Sequence, residues 1–344
     1  MRKTCFDTAI TVPISITIIL SLLLPALAYD DSQLAFANQQ AAMTENQINN
    51  NDNPANDNSS SSSIVPKVVF LNFYDDEKDQ FTNAKPILDK YGFKGTFFIV
   101  CNWANTNASR MTWNDISQLY REGQDIESHS TSHKVLDKLS PAALDYEVGQ
   151  SKQCLHDHIG VYPTVFSPPH GRGSKNATVI DAISKYYDFS IGGFVTGPMF
   201  LHCDGWKQRQ EQQTDCRTYS DNGTLNYANR YDIKERTHNA LDTRYSHNDT
   251  QIFQKFIELV NSQFTFNKNG IIDAIPIIGY HDIDNNKTIT STDVNLFDAE
   301  MKYLHDNGFK VLTMSDLAYD EKSNYLYIKL HDLYHNYRTH SFHT

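Results

Sequence analysis

The 344 residues carry 41 Asp and Glu against 30 Lys and Arg, a formal net charge of −11 at pH 7. No long basic stretch offsets that balance, which argues against a nucleic-acid partner and leaves a neutral polymer open. Apolar content is ordinary for a globular chain, and the length allows one large domain with tails or two domains.

Arg2 and Lys3 precede an apolar run from about Ala9 to Leu24, and Ala26-Leu27-Ala28 is a small-x-small cleavage pattern. Residues 1–28 therefore read as a secretory signal, with a retained membrane anchor as the alternative. Either way the chain is expected outside the cell, secreted or on the surface. Residues 29–64 are rich in Asn, Asp, Gln and Ser and read as a disordered spacer. Beyond the signal, Cys101, Cys154, Cys203 and Cys216 allow three pairings in an oxidising compartment. The short loop favours Cys203–Cys216, with Cys101–Cys154 as the remainder. Sequons at Asn58, Asn107, Asn176, Asn222, Asn248 and Asn286 permit glycosylation.

The folded domain begins near Val65. Lys67–Phe73 is rich in β-branched and aromatic residues and predicts a buried strand that ends in Asp75 and Asp76. Ala84, Ile87, Leu88 and Tyr91 recur at helical spacing, and Gly92 ends that helix. A strand over Gly95–Val100 follows, then a helix capped by Asn114, then a short strand at Asp125–Glu127. Ser140-Pro141 opens a helix running toward His158, and Ser167-Pro168-Pro169-His170-Gly171 makes a stiff turn. Ala177–Tyr187 reads as helix and Phe189–Phe194 as strand. The polar segment from about Pro198 to Asn248 reads as a long excursion over the barrel mouth. Helix Thr250–Phe264, strand Ala274–Tyr280, helix Asp293–Asp306 and strand Lys310–Met314 complete the pattern, and residues 321–344 read as a C-terminal extension. Strands alternating with helices imply an α/β fold with a mainly parallel sheet, of a size that suits a closed or nearly closed barrel.

Four strand ends bring polar groups together: Asp75/Asp76, His129/His133, Pro169–Gly171 and His281/Asp282. Two imidazoles four residues apart after a strand, with a carboxylate at a neighbouring strand end, can hold a cation and leave positions open for water and substrate.

Phe73-Tyr74-Asp75-Asp76, His129-Ser130-Thr131-Ser132-His133, residues 167–171 and Ile278-Gly279-Tyr280-His281 resemble the successive motifs of the polysaccharide deacetylases (NodB-homology domain, a carbohydrate esterase type). The intervening Asp79–Leu88, Lys94–Ile99 and Phe297–Leu317 segments are similar too. The resemblance implies a distorted (β/α) barrel with fewer than eight repeats over residues 65–320. It also implies a divalent metal, most often Zn2+, and a hydrolase that removes N-acetyl or O-acetyl groups from a polysaccharide. Asp76, His129 and His133 match the metal ligands, Asp75 the general base and His281 the general acid. Ser130 supports the ligand loop. Ser167 stands where the family has an arginine that pairs with the base, and His170 stands for its usual aromatic. His170 either substitutes in part for the arginine or lines the groove, with Pro169 and Gly171 shaping the same wall. Asp204-Gly205-Trp206 is a weak match to a further family segment. The alternative is a glycan-binding surface protein that keeps the barrel without catalysis.

Overall fold

Strand β1 (Val68–Tyr74) is buried along its whole length, which is why it reads as an apolar run interrupted only by Asn72. In this computed structural model, residues 66–194, 197–201, 218–219, 225–226, 229–242, 248–268, 270–320 and 325–329 are described. The expected signal and spacer, Cys203, Cys216, residues 204–206 and the tail histidines lie outside them.

Beside β1 run β2 (Thr96–Ile99), β3 (Asp125–Ser128), β4 (Val165–Phe166), β5 (Phe189–Phe194), β6 (Ile233–Thr237) and β7 (Ile277–Tyr280), each parallel to its neighbour. β7 pairs back onto β1, Phe70 facing Ile277 and Phe73 facing Tyr280, and closes a seven-stranded parallel barrel. The expected fold, a (β/α) barrel of fewer than eight repeats, is the one observed. An eighth strand, β8 (Lys310–Leu312), pairs with residues 68–70 of β1, while β2 takes residues 72–74. Helices α1 (Lys85–Tyr91), α2 (Trp113–Arg121), α3 (Pro141–Ile159), α4 (Ala177–Ser184), α5 (Asp249–Asn261) and α6 (Val294–Asp306) alternate with the strands.

Side-chain alternation along β1 divides two cores. Val68, Phe70 and Tyr74 face a barrel interior filled by Phe98, Val165, Ile233 and Ile277. Phe73 faces outward, stacked 4.7 Å from Phe97 and edge-on to Phe297 of α6. No helix among the described residues is long and apolar enough to cross a membrane.

Three expected boundaries shift for identifiable reasons. Helix α2 is capped by Thr112, not Asn114, because Thr112 accepts from Asp115 N–H while Asp115 accepts from Thr112 N–H, a reciprocal box. The strand expected over Ala274–Tyr280 divides at Pro276, which has no N–H for a ladder. Ala274–Ile275 instead pairs antiparallel with Met199–Phe200. The excursion expected over 198–250 contains a barrel strand: in β6, Ile233, Glu235 and Thr237 are buried while Lys234 and Arg236 are only half-buried. A buried glutamate in that alternation hides the strand from an apolar count. Of the C-terminal extension, Leu326 and Ile328 are buried in the barrel cluster, on a strand (Tyr325–Ile328) paired with Leu317–Asp320.

The start of β1 is fixed by one side chain. Gln263 accepts from Val68 N–H at 2.9 Å and donates to Val68 C=O at 2.9 Å, and its side chain is fully buried. Removing it leaves a buried donor and acceptor unpaired. Gln263→Ala should therefore lower unfolding stability by about 2–4 kcal/mol, read from urea denaturation followed by far-UV circular dichroism.

Candidate active site

The chain leaves β1 through two successive non-glycine residues in the left-handed region, Asp75 at φ 76° and Asp76 at φ 55°. Such residues are rare in pairs and persist only where surrounding bonds hold them. Met111 N–H donates to Asp76 C=O at 2.7 Å, Val100 N–H donates to Asp76 Oδ1 at 2.8 Å, and Arg110 donates to Asp75 C=O. The turn sends the two carboxylates in different directions. Asp76 is fully buried and ties the end of β1 to the end of β2. Burial pushes its carboxyl well above the usual range, against the pull of the Val100 N–H.

Asp75 points to the histidines. Its Oδ1 lies 3.4 Å from His129 Nε2 and 3.2 Å from His133 Nε2, and the two Nε2 atoms are 3.2 Å apart. The expected ligand set is Asp76, His129 and His133, whereas the carboxylate that lies beside both imidazoles is Asp75, and Asp76 accepts from Val100 N–H instead. Burial pushes Asp75 up, but the two imidazoles outweigh it and hold its carboxyl well below the usual range.

The histidine loop is built to aim ring nitrogens inward. His129 Nδ1 sits 2.7 Å from Ser167 C=O. A carbonyl only accepts, so Nδ1 carries the proton, and in the neutral ring that burial favours, Nε2 offers a lone pair to the cavity. Ser130, buried at φ 74°, accepts from His133 N–H at 2.9 Å through its hydroxyl. Glu147, buried on α3, accepts from Ser132 N–H at 2.8 Å and from the Ser132 hydroxyl. Sequence reading missed Glu147, although an acid three residues after Leu144 on an apolar helix face is a usable signal. The Cys101–Cys154 disulfide joins the loop after β2 to α3, and Cys101 N–H and Asn102 N–H donate to Ser130 and Thr131 C=O.

The remaining expected residues surround the same cavity. His170, at φ 60°, sets its ring 4.6 Å from His133, and Gly171 lines the wall beside it. Pro169 is buried but does not line the cavity, where Pro168 does, and Ser167 contributes both its carbonyl to His129 and part of the lining. His281 lines the opposite side, its C=O accepting from Gln80 at 2.9 Å. Burial pushes the His281 imidazole down, and Asp75 and Asp282 pull it back up. Tyr74 stands between, its ring centroid 5.2 Å from His129 and 5.6 Å from His281. Its hydroxyl donates to Glu235 Oε2 at 2.7 Å, and Asn72 Nδ2 donates to the same oxygen at 3.0 Å. Glu235 does not stand out in the sequence either, because it lies in the segment expected as an excursion over the barrel mouth.

The donors fit a divalent cation. Asp75 Oδ1 is buried and accepts no hydrogen bond, and two imidazole Nε2 atoms converge on it. One carboxylate and two imidazoles are the ligand types of catalytic zinc sites, which keep a fourth position open. Purified protein loaded with zinc should hold one ion per chain. Asp75→Asn and His129→Ala should each weaken binding at least about tenfold by competition with a chelating dye, while Asp76→Asn keeps affinity within about threefold.

Residues 63–187 match a family model described as polysaccharide deacetylase. The chain is 30% identical over 106 residues to the putative polysaccharide deacetylase YxkH of Bacillus subtilis, covering 31% of this chain and 38% of that protein. It is 29% identical over 120 residues to the uncharacterized protein YlxY of the same organism, covering 35% of each. The matches thus span little more than a third of those relatives' length. Among solved structures, the Xyl-CE4 domain of a multidomain xylanase from the hindgut metagenome of Trinervitermes trinervoides superposes with a TM-score of 0.45 at 18% identity, covering 73% of this chain and 88% of that domain. The ordered motifs and the family-model match together make residues 63–187 similar to the polysaccharide deacetylases.

Proposed function

We propose that the chain is a divalent-metal hydrolase that removes acetyl groups, N-linked in the first instance, from an extracellular or cell-surface polysaccharide. The carrying observation is the convergence of Asp75 Oδ1, His129 Nε2 and His133 Nε2 at one end of the barrel, with His129 fixed in the tautomer that offers Nε2. A divalent ion held there, zinc by the chemistry of the donors, supplies Lewis acidity to the acyl group and the attacking water. The chain's own residues do the rest. Ser130 and Glu147 hold the loop that aims the imidazoles, and Ser167 C=O fixes the His129 tautomer. His281 stands across the cavity to protonate the leaving nitrogen. Asp75 is engaged by both imidazoles, so the expected base role does not suit it.

A cleft of this kind, with the exposed His170 on its wall, suits a polymer lying across the barrel mouth. The apparent signal at residues 1–28 supports export and a substrate outside the cell. One observation favours the second reading, a glycan-binding barrel without catalysis: Ser167 lines the cavity where the resemblance places an arginine that pairs with the base, and no arginine lines it among the described residues.

The two readings separate on acetate release. Zinc-loaded protein should release acetate from N-acetylated amino-sugar oligomers, lose that activity on chelation and regain it with zinc. Protein that binds zinc and glycan but releases no acetate from any amide or ester substrate would support the binding module instead.

A further inference from the structure

We propose that Glu235 is the general base of this site, taking the proton of the attacking water, and that Tyr74 and Asn72 position it. The proposal rests on the deacetylase reading and supplies the group that reading lacks. Among the described residues, Asp75 and Glu235 are the carboxylates that line the mouth cavity. Asp75 is engaged by His129 and His133, and Asp76 is fully buried and bound to Val100. Glu235 enters from the facing strand β6, with Oε2 committed to the Tyr74 hydroxyl and the Asn72 amide, which leaves Oε1 to accept a proton.

Its surroundings are cleared for a carboxylate. On the adjoining strand β7, a Cβ at Gly279 would lie 2.8 Å from Glu235 Oε1 and 2.9 Å from the Tyr74 ring, so the barrel is bare of side chain at that point. A glutamine would accept the same two hydrogen bonds without an ionisable group to desolvate, and a carboxylate buried without a cationic partner is costly. A structural role alone therefore does not call for an acid here. Burial pushes Glu235 up to about 7, with Tyr74 and Asn72 pulling it down. The proton-accepting form accordingly fills as pH rises through that value, which suits a base working near neutrality.

The step balances without a further reactant. Water gives one proton to Glu235 Oε1 as its oxygen bonds to the acetyl carbon. The carbon–nitrogen bond then breaks, and His281 protonates the departing amine. Water's second proton leaves with the acyl group as acetic acid, which ionises in solvent, and the proton on Glu235 returns through solvent to His281.

The test uses the full zinc-loaded chain and N-acetylglucosamine oligomers. Glu235→Gln should lower kcat about 100-fold or more, with KM and zinc affinity within about twofold of the parent. Glu235→Asp should recover part of the rate. Tyr74→Phe removes a bond that favours the carboxylate, so the acidic limb of kcat should move to higher pH. Infrared difference spectra of the metal-free protein should show a protonated-carboxyl band that fades as pH rises through the Glu235 range and is missing in Glu235→Gln. A Glu235→Gln variant that keeps kcat within about threefold, with its acidic limb intact, overturns the proposal and leaves the deacetylase reading standing. Parent protein that shows the band and binds zinc but releases no acetate overturns both.

Discussion

The left-handed turn at Asp75–Asp76 is the constraint on which the site depends. Two adjacent non-glycine residues at positive φ cost on the order of 1–3 kcal/mol each, and the surrounding structure must offset that. Three hydrogen bonds do so, from Val100, Met111 and Arg110, all delivered by the segment that follows β2. The same segment carries Trp103, whose ring lies 4.6 Å from His133 and beneath the Arg110 guanidinium. The loop that holds the turn thus also walls the imidazoles. Adjacent aspartates end with separate tasks because the backbone between them is turned, and one of those tasks is structural.

Charge explains why such a turn needs support. Asp75, Asp76, Glu77 and Asp79 follow one another at a partly buried rim. Burial raises Glu77 to about 8 against the pull of Arg110, and Asp79 to about 6 against its bond from Ile283 N–H. Like charges crowded at low solvent exposure favour protonation unless a cation offsets them. Arg110 offsets part of that on the outside, and a cation held by Asp75, His129 and His133 would offset more at the centre. Metal binding and local folding are coupled wherever a site gathers charge in this way.

Much of this was legible in the chain. The buried parallel strands announce themselves as apolar runs, the glycine stops and Ser140-Pro141 mark helix ends, and His129 and His133 identify their own loop. Two features were not legible for physical reasons. The register of the aspartates depends on backbone dihedrals at the end of β1, and a motif read in order gives no sign that Asp76 turns back to Val100. Strand β6 carries a glutamate where an inward residue is usually apolar, so its alternation of Ile233, Glu235 and Thr237 looked like loop. The alternation itself was present. What was missing was the expectation that the barrel interior could take an acid, which Tyr74 and Asn72 make tolerable from the facing strand.

The account turns on which aspartate faces the imidazoles. A crystal structure of the zinc-loaded protein, with anomalous data at the zinc edge, tests that directly. The account predicts a single peak bonded to Asp75 Oδ1, His129 Nε2 and His133 Nε2, with Asp76 still holding Val100 N–H. A peak bonded to Asp76, with Asp75 turned away from the ion, would contradict it.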